Sequence, residues 1–174
     1  CVSKNFFTIY NVKSDRINII HNSLSSLKKN DVSTQKGVFI IGANSSALDF
    51  KDVSYLDYLN KILKYVGSKW PNETILYCPH RRDLNNSTNK EWCQKNNIEY
   101  FEPSVSVEYD FTMRGVNPVA IIGFTSNALY SLKSIFDSAV VYTVYYNLCD
   151  KASDEETETI RGQMLESGIL NLKF

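Results

Sequence analysis

A chain of 174 residues with 19 Lys+Arg against 19 Asp+Glu carries no formal net charge, which excludes a nucleic-acid module working through a global positive field. Seven Gly and four Pro beside 43% hydrophobic residues also exclude collagen-like, low-complexity and largely disordered chains. The length fits one domain, with room for a small appendage.

Phe6, Phe7, Ile9 and Tyr10 form an apolar stripe that reads as core or interface. Ile17-Asn18-Ile19-Ile20 predicts a short strand, with His21 at its end as a structural or surface residue. Val38-Phe39-Ile40-Ile41 predicts a firmer strand, ended by Gly42-Ala43-Asn44. Tyr55, Leu59, Ile62, Leu63 and Val66 recur at helical spacing, with Gly67 as the expected stop. Thr74–Cys78 predicts a strand closed by Pro79, and Asn89–Asn97 a short helix with Trp92 on its apolar side. Ile98–Phe101 predicts a strand ended by Pro103. After Pro118, Val119–Ile122 predicts an apolar strand running into Gly123, followed by a helix over Ala128–Phe136. Ala139–Tyr146 predicts another strand. Asp154–Ser167 predicts a helix whose acidic cluster, Asp154–Glu158, reads as a solvated start suited to the helix dipole.

Strands that are continuous apolar runs, alternating with helices, predict a parallel sheet covered on both faces. The expected fold is a Rossmann-like, doubly wound α/β domain. In such sheets the ligand crevice lies beyond the carboxyl ends of the strands, which directs attention to the residues after Ile41, Cys78, Phe101 and Ile122.

The four cysteines, Cys1, Cys78, Cys93 and Cys149, lack metal-ligand spacing and read as reduced thiols rather than a zinc site or disulfides. Sequon matches at Asn44, Asn72 and the Asn85/Asn86 stretch read as chance in an Asn-rich chain. No apolar run approaches the roughly 20 residues of a membrane span.

Three segments could carry chemistry. Pro79-His80-Arg81-Arg82-Asp83 follows a strand and offers Arg forks and an imidazole to an anion. The plain alternative is surface arginines and a loop histidine. Gly123-Phe124-Thr125-Ser126-Asn127 turns a buried strand into a helix; Gly123 permits close backbone approach, and Thr125 or Ser126 offers a hydroxyl beside free N–H groups. Simple N-capping is the alternative there. The loop after Gly42 holds Asp49 and Asp52, with Asp57 on the following helix, any of which is a general base or a solvated carboxylate. Glu102 and Glu108, near the Phe101 strand end, could hold sugar hydroxyls. Neither a Walker A motif nor GxGxxG is present.

Phe39–Gly42, Tyr58–Leu63, Tyr77–Asp83 and Pro118–Lys133 occur in this order. Together they resemble the carboxyl-terminal half of bacterial sialyltransferases of glycosyltransferase family 52, which sialylate lipooligosaccharide. The resemblance runs over residues 37–136, and its specific part is Pro79-His80-Arg81 with Gly123-Phe124-Thr125-Ser126-Asn127-Ala128-Leu129. It implies a two-domain GT-B enzyme, with residues 1–36 a linker plus first strand and 37–174 the domain that binds CMP-sialic acid. His80 would meet the CMP phosphate and serve as, or assist, the general acid; Thr125 and Ser126 would hold that phosphate. Glu108 would lie near the nucleoside, and Arg81 or Arg82 would pair the donor carboxylate. The base would be Asp49 or Asp57. The chain departs from the family in having Gly42-Ala43-Asn44 where Gly-Gln-Pro is common, and Thr125-Ser126 where Ser-Ser is usual.

The residues themselves call for no metal or other cofactor, and the balanced charge for no nucleic-acid partner. The resemblance implies a glycan acceptor that is lipid-linked or capsular, and a cytoplasmic protein peripheral to the inner membrane, with a homodimer left open. A start at Cys1 and a length short of a two-domain enzyme imply a carboxyl-terminal portion. Two other readings stand beside it: a glycosyltransferase for another sugar nucleotide, and a noncatalytic α/β binding module.

Overall fold

The computed structural model describes residues 35–51 and 53–174, together with 5–8, 15, 18–21, 24 and 27. Cys1, Ile9, Tyr10, Ile17 and Asp52 lie outside the described residues, as do the side chains of Phe6, Phe7 and His21. Strands β1 (Asn5–Thr8) and β2 (Asn18–His21) form a two-stranded parallel sheet of their own.

The main sheet starts with β3 (Gln35–Ile41) and continues through α1 (Tyr55–Lys69), β4 (Thr74–Cys78), α2 (Asn86–Lys95) and β5 (Glu99–Tyr100). Then come α3 (Val107–Arg114), β6 (Val116–Gly123), α4 (Asn127–Ile135), β7 (Val140–Val144), α5 (Lys151–Glu166) and β8 (Leu170–Leu172). The six strands are ordered β5-β4-β3-β6-β7-β8, and every pairing is parallel. Chain direction therefore reverses its march across the sheet between β3 and β6, as in Rossmann-like sheets, where that reversal opens a crevice.

Alternation along each strand builds two cores. Val38, Ile40, Tyr77, Ala120, Ile122 and Val144 turn to one face and meet Tyr58, Leu59, Ile62 and Val66 of α1 and Trp92 of α2. Phe39, Ile41, Leu76, Cys78, Ile121 and Val141 turn to the other and meet Phe111 of α3, Leu129 and Leu132 of α4 and Met164 of α5.

Several boundaries differ from expectation. Helix α1 continues past Gly67 to Lys69, since Gly67 is exposed and an isolated glycine costs only about 1 kcal/mol. Strand β6 begins at Val116 and so contains Pro118, a residue a central strand normally rejects. A register shift absorbs it: Gly37 pairs with Pro118 and Val38 with Ala120, leaving Val119 as the extra residue of a bulge. Helices α3 and strand β8 were not anticipated by the apolar pattern. Among the described residues, no helix is long and apolar enough to cross a membrane.

Candidate functional site

A cavity of about 720 Å³ opens at the carboxyl ends of β3 to β7. Its wall over β4 is Cys78-Pro79-His80-Arg81, its wall over β3 is Gly42-Ala43-Asn44, and Thr125-Ser126 close it at the start of α4. Glu108 enters from α3, Tyr146 from the end of β7, and Glu156 and Thr157 from α5.

The β6–α4 connection brings the tightest turn to this point. Gly123 is register partner of Ile41, and only Phe124, Thr125 and Ser126 separate it from α4. A Cβ on Gly123 would stand 3.0 Å from Leu129 Cδ2 and 3.1 Å from Ile41 Cβ. Gly123 thus serves the packing of α4 on β3 and does not line the cavity. Ser126 is the N-cap, its hydroxyl accepting from the Ala128 N–H at 3.3 Å. That hydroxyl retains a proton to donate; the Ala128 and Leu129 N–H groups are already paired with the Ser126 hydroxyl and carbonyl, so the helix start favours an anion through its dipole.

His80 lies in the β4–α2 loop, half-buried. Its Nδ1 accepts from the Arg82 N–H at 3.2 Å, so the neutral ring carries its proton on Nε2. Burial first, and Arg81 next, push its pKa below the ordinary 6.5, against the opposing pull of Asp83. The shift disfavours the imidazolium, and in the neutral ring Nε2–H is the atom left to donate. Cys78 beside it is inert as a nucleophile, because burial and the Glu108 and Asp110 charges push its thiol up to about 12.

The cavity brings together His80, Arg81, Glu108, Thr125 and Ser126, and leaves out Arg82, Asp49 and Asp57. Asp49 is exposed on the rim loop, where its carbonyl accepts from the Cys149 N–H at 2.9 Å. Asp57 is exposed and closes a capping box on α1, its carboxylate accepting from the Ser54 hydroxyl at 2.6 Å and the Ser54 N–H at 3.1 Å. Those bonds pull its pKa below the usual carboxylate range. The lining also differs from a cationic pocket. Arg81 and His80 stand at one side, while Glu102, Glu108 and Glu156 supply three carboxylates.

Two supporting groups were invisible to pattern reading. Asp83, only 3% exposed, accepts from the Ser45 hydroxyl at 2.9 Å, the Ser46 N–H at 3.2 Å and Asn89 Nδ2 at 2.9 Å. Tyr55 accepts the Ala43 N–H at 3.1 Å and shares a hydrogen bond with Tyr77 at 2.9 Å between their hydroxyls. Gly42 leaves room for that pair, since a Cβ there would meet the Tyr77 hydroxyl at 2.5 Å.

No protein-family model and no curated protein matches the chain. The geometry at the strand ends thus carries the functional reading. Among the described residues, no group of three or more His, Cys, Asp or Glu is arranged to hold a metal ion.

Proposed function

We propose that this domain binds a nucleotide sugar of the CMP-sialic acid kind and stabilises its leaving phosphate, as the donor-binding domain of a GT-B glycosyltransferase. The observation that carries the reading is the convergence of His80, Arg81, Thr125, Ser126 and the α4 N-terminus on one cavity at the β3/β6 crossover. Such a site offers an anion a guanidinium, an imidazole N–H, the Ser126 hydroxyl and a helix start, with the Thr125 hydroxyl buried beside them.

In the proposed transfer, an acceptor hydroxyl attacks the anomeric carbon on the face opposite the phosphate, its proton passes to solvent, and the bond from that carbon to the CMP oxygen breaks, the electron pair leaving with CMP. Negative charge grows on the departing phosphate, where donors already in place are most effective. His80 Nε2–H and the Thr125 and Ser126 hydroxyls meet it, while Arg81 pairs the sugar carboxylate. Glu108 and Glu102 accept from hydroxyl or amino groups of the nucleoside. A neutral His80 supports the role of hydrogen-bond donor more directly than that of proton-carrying acid. Because Asp49 and Asp57 both stand off the cavity, the proposal is one of donor binding and leaving-group stabilisation.

A thermal-shift comparison tests it. CMP should raise the melting temperature of the wild-type chain, UMP should raise it less, and His80→Ala should abolish most of the CMP effect. A chain indifferent to both nucleotides overturns the reading.

A further inference from the structure

We infer that Asp83 is the positioning residue that holds the two rims of this cavity at a fixed separation, without itself touching what binds there. The inference rests on the donor-binding reading only for the identity of the occupant. Asp83 does not line the cavity, yet it stands between the two loops that do. From the β3–α1 loop, the Ser45 hydroxyl lies 3.0 and 2.9 Å from its two oxygens, and the Ser46 N–H donates at 3.2 Å. From its own side, the Asn85 N–H donates at 3.2 Å and Asn89 Nδ2 at 2.9 Å. The Asp83 N–H in turn donates to the His80 carbonyl at 2.9 Å, closing the turn that carries His80 and Arg81.

Two further bonds tie the same loops: Leu84 N–H to Ser46 Oγ at 3.3 Å, and Asn85 Nδ2 to Ser45 Oγ at 3.1 Å. Every donor to the carboxylate is neutral. An ionised carboxylate can accept at both oxygens, so it alone among side chains of this size satisfies donors arriving from both loops. An asparagine would present its NH₂ to donors and leave at least one of them unmet. The buried charge also favours protonated His80, against burial and Arg81. Asp83 therefore helps fix the turn that carries the imidazole and opposes the downward shift that burial and Arg81 impose on it.

The test uses the whole chain with Asp83→Asn, Ser45→Ala and, as a stability control remote from the rims, Val66→Ala. Three quantities are read: amide exchange at Ser46, Leu84 and Asn85, the His80 titration midpoint by NMR, and CMP affinity by calorimetry. Asp83→Asn should speed exchange at those amides, lower the His80 midpoint further and weaken CMP binding by about ten- to a hundredfold. Ser45→Ala should move the same readouts less, and Val66→Ala should lower the melting temperature alone. Asp83→Asn that lowers the melting temperature but leaves all three readouts at wild-type values overturns the inference. Should Asp83→Asn fail to fold, wild-type exchange and His80 midpoint in Ser45→Ala overturn it instead. Wild-type protein that binds no CMP overturns the donor reading, while exchange and the His80 midpoint still decide the role of Asp83.

Discussion

Ile41 and Gly123 face each other in register at the carboxyl ends of β3 and β6, and a side chain on Gly123 would meet the Ile41 Cβ at 3.1 Å and its carbonyl oxygen at 3.2 Å. Leu129 closes the third side at 3.0 Å. Ile41 Cβ and its carbonyl oxygen are fixed by the strand backbone, and Leu129 Cδ2, although a side-chain end, is fully buried in the core. Gly123→Ala should therefore destabilise the fold by about 1–3 kcal/mol, measured by denaturant unfolding. Because the strain falls at the start of α4, CMP affinity should fall with it.

Tyr55 and Tyr77 share one buried hydrogen bond but have unequal duties. Only Tyr55 accepts the Ala43 N–H. Tyr55→Phe orphans a buried backbone donor at the cavity rim and should lose about 1–3 kcal/mol. Tyr77→Phe leaves that donor paired and should lose less. Equal losses in the two variants would contradict the assignment.

The sign of the His80 contribution to stability follows from its depressed pKa. The unfolded chain titrates near the ordinary 6.5, and the folded one below it. Between the two values the unfolded state binds more protons, so stability rises with pH across that window. It is lost as pH falls from 6.5 toward the folded value. Stability measured at intervals from about pH 5 to about pH 7.5 should show this slope, and His80→Gln should reduce it.

Asp57 caps α1 and stands away from the cavity. Asp57→Asn should lower the melting temperature while CMP affinity stays at the wild-type value. A large loss of affinity would place Asp57 in the donor site, against the geometry.

The alternating architecture was legible because central parallel strands are apolar on both faces, and Val38–Ile41 and Val119–Ile122 show this directly in the sequence. Helix α3 was not, because it buries only Phe111 and Thr112 and so presents no apolar stripe. Its ends were nevertheless marked by the Ser106 N-cap, the acidic Glu108 and Asp110, and Gly115 at φ 65°. Pro118 hid the first residues of β6, since a bulge in the pairing with β3 is not visible along one strand. At the site, His80, Arg81, Thr125 and Ser126 were legible because crevices follow strand ends. Asp83 was not, because its role depends on Ser45, 38 residues away. The same holds for Glu156 and Tyr146, which reach the cavity only through the packing of α5 and the end of β7. Arg161 was equally hidden: it is buried on α5, pairing with Glu158 and donating to the Tyr146 carbonyl at 3.0 Å.

The most direct test of the central claim is CMP binding to wild-type protein and to His80→Ala, with UMP as the comparison ligand. The account predicts saturable CMP binding, weaker UMP binding, and loss of most CMP affinity in a His80→Ala variant that remains folded. No CMP binding by the wild type, or undiminished binding by His80→Ala, would contradict it.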